Sequence, residues 1–298
     1  MSLYAFFGAI EQGLLFSIMA LGVFITFRAL DFPDLSVDGS FPMGAAISAI
    51  LIFNGVDPWL TIVFAVMGGM AAGTVTALLN TKLKILNLLA GILTMIALYS
   101  INLRIMGMPN VPLLGFETVF TAFGDLVQVP AYIANVILLG IVSVLVGGFL
   151  IWFFNTEIGL TLRATGDNMK MVKAQGASTN KMILLGVALS NGLVALAGAF
   201  AAQVQGFADV TMGVGTIVAG LASVILGEAL ISSIGVVRAV IGVIIGSIVY
   251  RLAIAFALTA EIGGVSLAPS DLNLITAILV VVALMFPGIR NKLGVVKK

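Results

Sequence analysis

The chain has 298 residues, 61% of them hydrophobic and 9% charged, with a formal net charge of +1. Its mean hydropathy is +1.22, and a soluble domain carries about 25% charged residues, so a water-soluble globular fold is excluded. The near-neutral charge argues against a nucleic-acid partner. Cys and His are both absent, which removes disulfides, thiolate chemistry and the usual soft metal ligands, so neither metal nor cofactor is expected.

Hydropathy divides the chain into nine apolar segments, at 4–27, 42–54, 58–80, 85–106, 130–154, 183–205, 213–231, 237–257 and 272–287. Most are long enough to cross about 30 Å of hydrocarbon as helices. The expected fold is an all-α polytopic membrane protein of about nine membrane segments, with residues 1–298 forming a single transmembrane domain. The first segment opens apolar (MSLYAFFGAIEQGLLF) with no basic region or small-residue cleavage site, so it reads as a retained helix. The second is too short to cross as a straight helix, because its residues, at about 1.5 Å each, reach only about 20 Å. It reads as a half-helix, with the irregular run FPDLSVDGSFP from Phe32 completing the crossing inside the protein. Gly68, Gly69 and Gly73 in the third segment suit close helix packing.

Between the fifth and sixth segments lies the long polar run Asn155–Lys181, carrying Arg163, Lys170, Lys173 and Lys181. Asp167 or Asn168 is placed to cap a short helix that runs through Gln175 and is ended by Gly176. Two turns have little stability alone. The helix therefore needs a surface to lie against, either a cytoplasmic partner protein or anionic lipid. With this run cytoplasmic and nine segments alternating, Arg28, Lys82, Lys84, Arg238, Arg290, Lys292, Lys297 and Lys298 fall on the same side, while Arg104 and Arg251 point outward. The positive-inside bias then places the N-terminus out and the C-terminus in the cytoplasm. Asp57, Glu117, Asp125, Asp209, Glu261 and Asp271 fall in or near outer loops.

The sequence also repeats itself. FPDLSVDGSFPMGAAISAIL from Phe32 aligns without gaps to FADVTMGVGTIVAGLASVIL from Phe207, pairing Phe32 with Phe207, Asp34 with Asp209 and Ser48 with Ser223. An odd number of crossings between the copies makes this an inverted-topology repeat of segments 1–4 and 6–9, with segment 5 as the link. Such repeats belong to transporters, whose pathway lies near the interface between halves.

No phosphate-binding loop, H-E-x-x-H or G-x-S-x-G motif is present, so neither ATP hydrolysis by a phosphate-binding loop nor other enzyme chemistry is expected. Intramembrane polar residues are the remaining candidates, because charges in hydrocarbon face a cavity or a partner. Glu11 and Glu228 read as structural polar partners, Asn102 and Asn191 suit hydrogen bonds between helices, Gln203 is a further polar residue of the sixth segment, and Arg251 is available to pair with one of the acids. Asp34, Ser36, Asp38, Asn191 and Asp209 are the pathway or gating candidates. For Asp34 and Asp209 the competing reading is helix capping; Asp38 before Gly39 and Ser40 reads as a turn and cap.

The pattern T-x-x-G-x-x-x-R-A-x-G-D-N is carried by Thr156, Gly159, Arg163, Ala164, Gly166, Asp167 and Asn168. It is followed by Ala174, placed later than the pattern expects, and Gly176. It resembles the cytoplasmic coupling segment of ABC-importer permeases of the branched-chain amino acid and ribose class. FPDLSVDGSFPMGAA resembles their tryptophan/tyrosine importer subgroup, and the resemblance covers essentially the whole chain. It implies a plasma-membrane permease working as two copies, with ATP-binding subunits docked on residues 155–181 through Arg163, Gly166, Asp167, Asn168, Ala174 and Gly176. An extracytoplasmic binding protein would deliver a small solute, an amino acid and possibly an aromatic one, to outer loops including 107–129 and 258–271. The alternatives are an ion-coupled secondary transporter using Glu11, Asp34 or Asp209, and a membrane scaffold without a pathway.

Overall fold

The structure is a computed structural model, and it describes residues 3–231, 235–259 and 281. Helix α1 (Leu3–Val23) runs directly into a π-helical stretch, Phe24–Ala29. There follow α2 (Val37–Phe53), α3 (Pro58–Thr81), α4 (Asn87–Met106), β1 (Asn110–Pro112), α5 (Val119–Val127) and α6 (Ala131–Phe154). The second part comprises α7 (Glu157–Asp167), α8 (Met169–Ala174), α9 (Thr179–Gln205), β2 (Phe207–Asp209), α10 (Thr216–Leu230) and α11 (Val236–Thr259). Among the described residues, six helices are long and apolar enough to cross a membrane: Leu3–Ala29, α3, α4, α6, α9 and Val236–Ala257 of α11. Helices α2 and α10 are apolar but shorter. The segment expected at 272–287 apart from residue 281, most of the loop at 258–271, and Glu261, Asp271, Arg290, Lys292, Lys297 and Lys298 lie outside the described residues.

Local chemistry explains most boundaries. Pro58 opens α3 where a missing N–H is harmless, and the Asp57 carboxylate accepts from the Trp59 amide at 2.8 Å. Pro130 precedes α6, and Gly107 and Gly206, both at positive φ, close α4 and α9. The expected start of the second segment at 42 is corrected. Helix α2 begins at Val37 and includes Pro42, so only residues 32–36 of the polar run are irregular. Helix α9 likewise begins at Thr179 rather than 183, and residues 155–181 hold two helices where one was expected. The loop at 107–129 contributes β1, whose Asn110 pairs with Asp209 of the antiparallel strand β2.

Burial sorts the spans into centre and periphery. The most apolar window of α9 is 78% buried and that of α1 72%, whereas α3, α4, α6 and α11 lie between 28% and 39%. The peripheral helices carry their apolar side chains outward, as in Leu93 and Ile96 of α4 and Val144 and Leu145 of α6. That surface suits lipid tails, which drive no helices together, so association must come from close packing and internal hydrogen bonds. Small residues supply the packing. Gly69 and Gly73 of α3 rest on the α9 backbone at Asn191 and Val187, Gly44 of α2 lies on Ala195, and Gly198 of α9 lies on the Phe41 carbonyl. The packing roles expected of Gly68, Gly69 and Gly73 hold, Gly68 meeting Ile47 of α2.

A side chain at Gly44 would run into the Ala195 backbone, so Gly44→Leu should destabilise the fold by about 3 kcal/mol. Thermal unfolding in detergent checks this against Gly148→Leu, whose added atoms meet open space and which should unfold as the wild type does.

Candidate functional site

The chain reverses direction between α1 and α2 and buries a carboxylate as it does so. The Phe32 amide closes back onto the Thr26 carbonyl at 2.8 Å, and Asp31 takes a left-handed conformation, φ 51°. Asp34 Oδ1 then accepts the Ser36 amide at 2.8 Å and the Ser36 hydroxyl at 2.6 Å, while Oδ2 accepts Asn191 Nδ2 at 2.7 Å. Asn191 Oδ1 accepts Ser40 Oγ at 2.6 Å, with Ser36 Oγ at 3.1 Å, and its Nδ2 also reaches the Val187 carbonyl at 3.0 Å. Ser36 Oγ has one proton, and the shorter approach to a carboxylate takes it. Asp34, Ser36, Ser40 and Asn191 are all fully buried. Asn191 lies one residue from the middle of the 27-residue α9, so the cluster sits deep in the bundle.

Two neighbours complete the enclosure. Gly91 of α4 faces the Leu35 and Ser36 amides and Asp34 Oδ1, where a side chain would not fit. Asn102 of the same helix donates Nδ2 to the Gly39 carbonyl at 3.1 Å. Three of the sequence-selected candidates, Asp34, Ser36 and Asn191, are thus brought together, and Ser40 joins them without having been selected. Its spacing of four from Ser36, one helical turn on the same face, was the available signal.

Asp38 and Asp209 stand apart from this cluster. Asp38 lies within the first turn of α2, yet its carboxylate caps α10: Oδ2 accepts the Gly215 amide at 3.0 Å, and Oδ1 accepts the Ile217 amide at 2.8 Å and Thr216 Oγ1 at 3.0 Å. The expected local turn at Asp38 is therefore corrected to a cap on a distant helix, and the starts of the two short helices are tied together. Gly213 fits against the Asp38 carbonyl and the Pro42 ring, which lets the connection to α10 approach. Asp209 forms the same turn as Asp34, with the Thr211 amide at 2.8 Å and the Thr211 hydroxyl at 2.6 Å. It is otherwise in the open beside β1, accepting Asn110 Nδ2 at 3.2 Å. The Thr211 hydroxyl is the main cause that holds its carboxyl below the usual carboxylate range.

At the other end of the bundle, Thr156 caps α7, accepting the Gly159 amide at 3.2 Å, and Asn168 caps α8, accepting the Met171 amide at 3.0 Å. Gly176, at φ 84°, follows α8 as expected. Gly166 faces inward, onto the Ala29 carbonyl and Leu30 at the end of α1. Ala174, with Met171 and Lys173, is exposed, and Val172 is the buried anchor of α8. Arg163 and Asp167 are exposed and line a cavity of about 360 Å³ together with Arg28 and Glu228. Arg28 Nε pairs with Glu228 Oε1 at 2.5 Å, joining the end of α1 to α10. That pair was missed in sequence, where Arg251 was the cation available to an acid. Instead the Arg251 guanidinium lies over the Phe16 ring, 3.7 Å from its centre. Glu11 accepts Asn135 Nδ2 at 3.2 Å, and Gln203 Nε2 donates to Ser48 Oγ at 3.0 Å.

The twin turns make a paired test. Asp34→Ala leaves buried donors on Ser36 and Asn191 unmatched and should cost about 3 kcal/mol. Asp209→Ala removes the same bonds where water replaces them and should cost less than about 1 kcal/mol. Thermal unfolding of the two variants side by side is the check.

Comparison with known proteins places this architecture. Residues 5–286 match the family described as the branched-chain amino acid transport system permease component. The chain is 43% identical over 280 residues to the tyrosine transport system permease protein of Clostridioides difficile (strain R20291), covering 94% of this chain and 90% of that protein. It is 35% identical over 191 residues to the uncharacterized protein RP368 of Rickettsia prowazekii (strain Madrid E), 64% and 65% of the two chains. It is 27% identical over 169 residues to the fructose import permease protein FruF of Bifidobacterium longum (strain NCC 2705), 55% and 46% of the two chains. No solved structure matches. The family match spans nearly all of the chain and takes in, wholly or all but two residues, each helix among the described residues that is long enough to cross a membrane. The chain belongs to the branched-chain amino acid transport system permease family, as an integral multi-pass membrane protein.

Proposed function

We propose that this chain is the pathway-forming subunit of an ATP-driven importer for a small amino acid, with an aromatic one the first candidate. The observation that carries this reading is the 43% identity, along 94% of the chain, to a permease named for tyrosine transport. In this reading two copies form the pathway, a separate ATPase docks on residues 155–181 at the cytoplasmic face, and a separate binding protein delivers solute to the outer loops. The N-terminus lies outside and the C-terminus inside. Nine segments then cross or enter the membrane as an inverted repeat, a scheme supported by the identical turns at Asp34 and Asp209.

The geometry supplies a route for coupling. The exposed face of α8 is the docking surface, and α7 carries its displacement onto Ala29 and Leu30 through Gly166. Four residues beyond Leu30 the chain enters the Asp34 turn, and from there α2. A push on α8 therefore bears on the buried cluster that positions α2 against α9. The ATPase contributes the difference in binding energy between two packings of the bundle. The Arg28–Glu228 pair bridges α1 and α10 on the same side and acts as a latch. Such a partly exposed pair is worth about 1 kcal/mol or less, enough to bias two states and too little to lock one. An ion-coupled carrier has weaker support, since it leaves α8 without a role.

Ala174→Arg tests the docking role, because Ala174 is exposed and its replacement leaves internal packing alone. The expected outcome is unchanged thermal stability with ATP-driven uptake reduced by about tenfold or more, equivalent to roughly 1.4 kcal/mol of lost coupling. Gly166→Leu should reduce both, since its side chain meets Leu30. Normal uptake by Ala174→Arg in reconstituted vesicles would contradict docking at α8.

A further inference from the structure

Arg251 is a cation placed where a membrane protein can least easily keep one. Helix α11 is pinned to α1 by Ser247 Oγ, which donates to the Gly13 carbonyl at 2.8 Å, and by Gly13 lying against the Ile248 backbone. From that anchor the Arg251 side chain leans back toward the start of its helix, as helical side chains do, and stacks on Phe16. Phe16 is the middle residue of the 27-residue span Leu3–Ala29, so the guanidinium sits at mid-span.

The contact with Phe16 does not account for the charge. An arginine at the centre of a spanning helix costs about 2.5–3.5 kcal/mol on insertion scales, and a cation–π contact returns about 0.5–2 kcal/mol. Among the described residues no carboxylate pairs with Arg251, and its Nε is buried without an acceptor. Glu11 on α1 is occupied by Asn135, and Asp38 is occupied by the start of α10. The residue as a whole is only partly buried, and lipid is the neighbour that a mid-span charge avoids. A charge so placed requires a polar partner.

We propose that Arg251 is the mid-membrane binding site for the carboxylate of the transported solute. Guanidinium is a planar fork whose paired N–H groups match the two oxygens of a carboxylate. Phe16 covers one face of that fork and is itself stacked on Phe41, ring centres 5.7 Å apart at 23°. The fork would take the α-carboxylate of an amino acid, and the Phe16–Phe41 surface would lie beside its apolar side chain. The ligand class is thus a carboxylate-bearing solute, as distinct from a neutral sugar. This inference rests on the importer reading above and adds to it the group that the pathway recognises.

The test uses the complete complex, permease with its ATPase and binding protein, in vesicles, with tyrosine and fructose as probes. Arg251→Met should lower ATP-driven tyrosine uptake at least about thirtyfold, and Arg251→Lys, which keeps the charge but loses the fork, about tenfold. Thermal unfolding of Arg251→Met should occur at or above the wild-type temperature. Tyrosine should raise the unfolding temperature of the wild-type complex and tyramine, which lacks the carboxylate, should not; Arg251→Met should lose the tyrosine effect. Tyrosine uptake by Arg251→Met within about twofold of wild type, a factor too small for a lost charge pair, would overturn the carboxylate site and leave the importer reading standing. So would lost uptake accompanied by a lower unfolding temperature, which marks a structural role. Wild-type uptake of fructose and not tyrosine would overturn the carboxylate class alone. No ATP-dependent uptake of either probe would overturn the importer reading and this inference with it.

Discussion

A carboxylate enclosed in the middle of an apolar bundle must find every one of its hydrogen bonds inside the protein, and the Asp34–Asn191 contact meets that constraint. Much of the interior follows from it. The chain has to leave α1 before Asp34 and re-enter a helix at Val37, so α2 starts deep in the bundle and is short. Asn191 has to face α2 from near the middle of α9, which makes α9 the most buried of the spans. The space left is narrow enough that Gly91 packs on the turn itself and Gly69 and Gly73 pack on the α9 backbone behind it.

The same constraint explains why the two short helices meet. The start of a helix leaves backbone N–H groups unmatched unless something accepts them. Helix α10 begins after Gly215, which has no side chain to serve as a cap, and Asp38 of α2 takes that role. One helix start is therefore completed by another, and a change in the relative position of α2 and α10 would break polar contacts as well as apolar ones. A bundle held this way favours two discrete packings over continuous deformation.

The spanning helices were legible because each needs a long apolar run, and hydropathy reports that directly: α3, α4 and α6 fall within two residues of their expected bounds. Helix α8 was legible from its punctuation, Asn168 at one end and Gly176 at the other. The start of α2 was not, because Asp38, Ser40 and Pro42 read as a loop when the partners that make them tolerable, Gly215, Asn191 and Gly213, are far along the chain. Helix α7 was hidden by its weak contrast, with Gly159, Leu162 and Thr165 as its buried face. The repeated D-x-[ST] turn was visible at both positions, but sequence does not say that one copy is enclosed and the other open. Arg251 shows the same limit: its cost was evident, and its neighbour was a ring rather than an acid.

In the proposed importer, nucleotide binding to the ATPase moves α2 through the turn at Asp34, and because Asp38 of α2 caps α10 the separation of these two helices changes with it. The native chain has no Cys, so cysteines introduced at the exposed residues Asn54, just beyond α2, and Leu230, at the end of α10, can be spin-labelled without background. Pulsed electron resonance on the reconstituted complex, diluted with unlabelled chain, then reads their separation with and without ATP. The expected result is a shift of about 2–5 Å between nucleotide states, abolished by Asp34→Ala. An unchanged distance distribution in a complex that still performs ATP-driven uptake would contradict it.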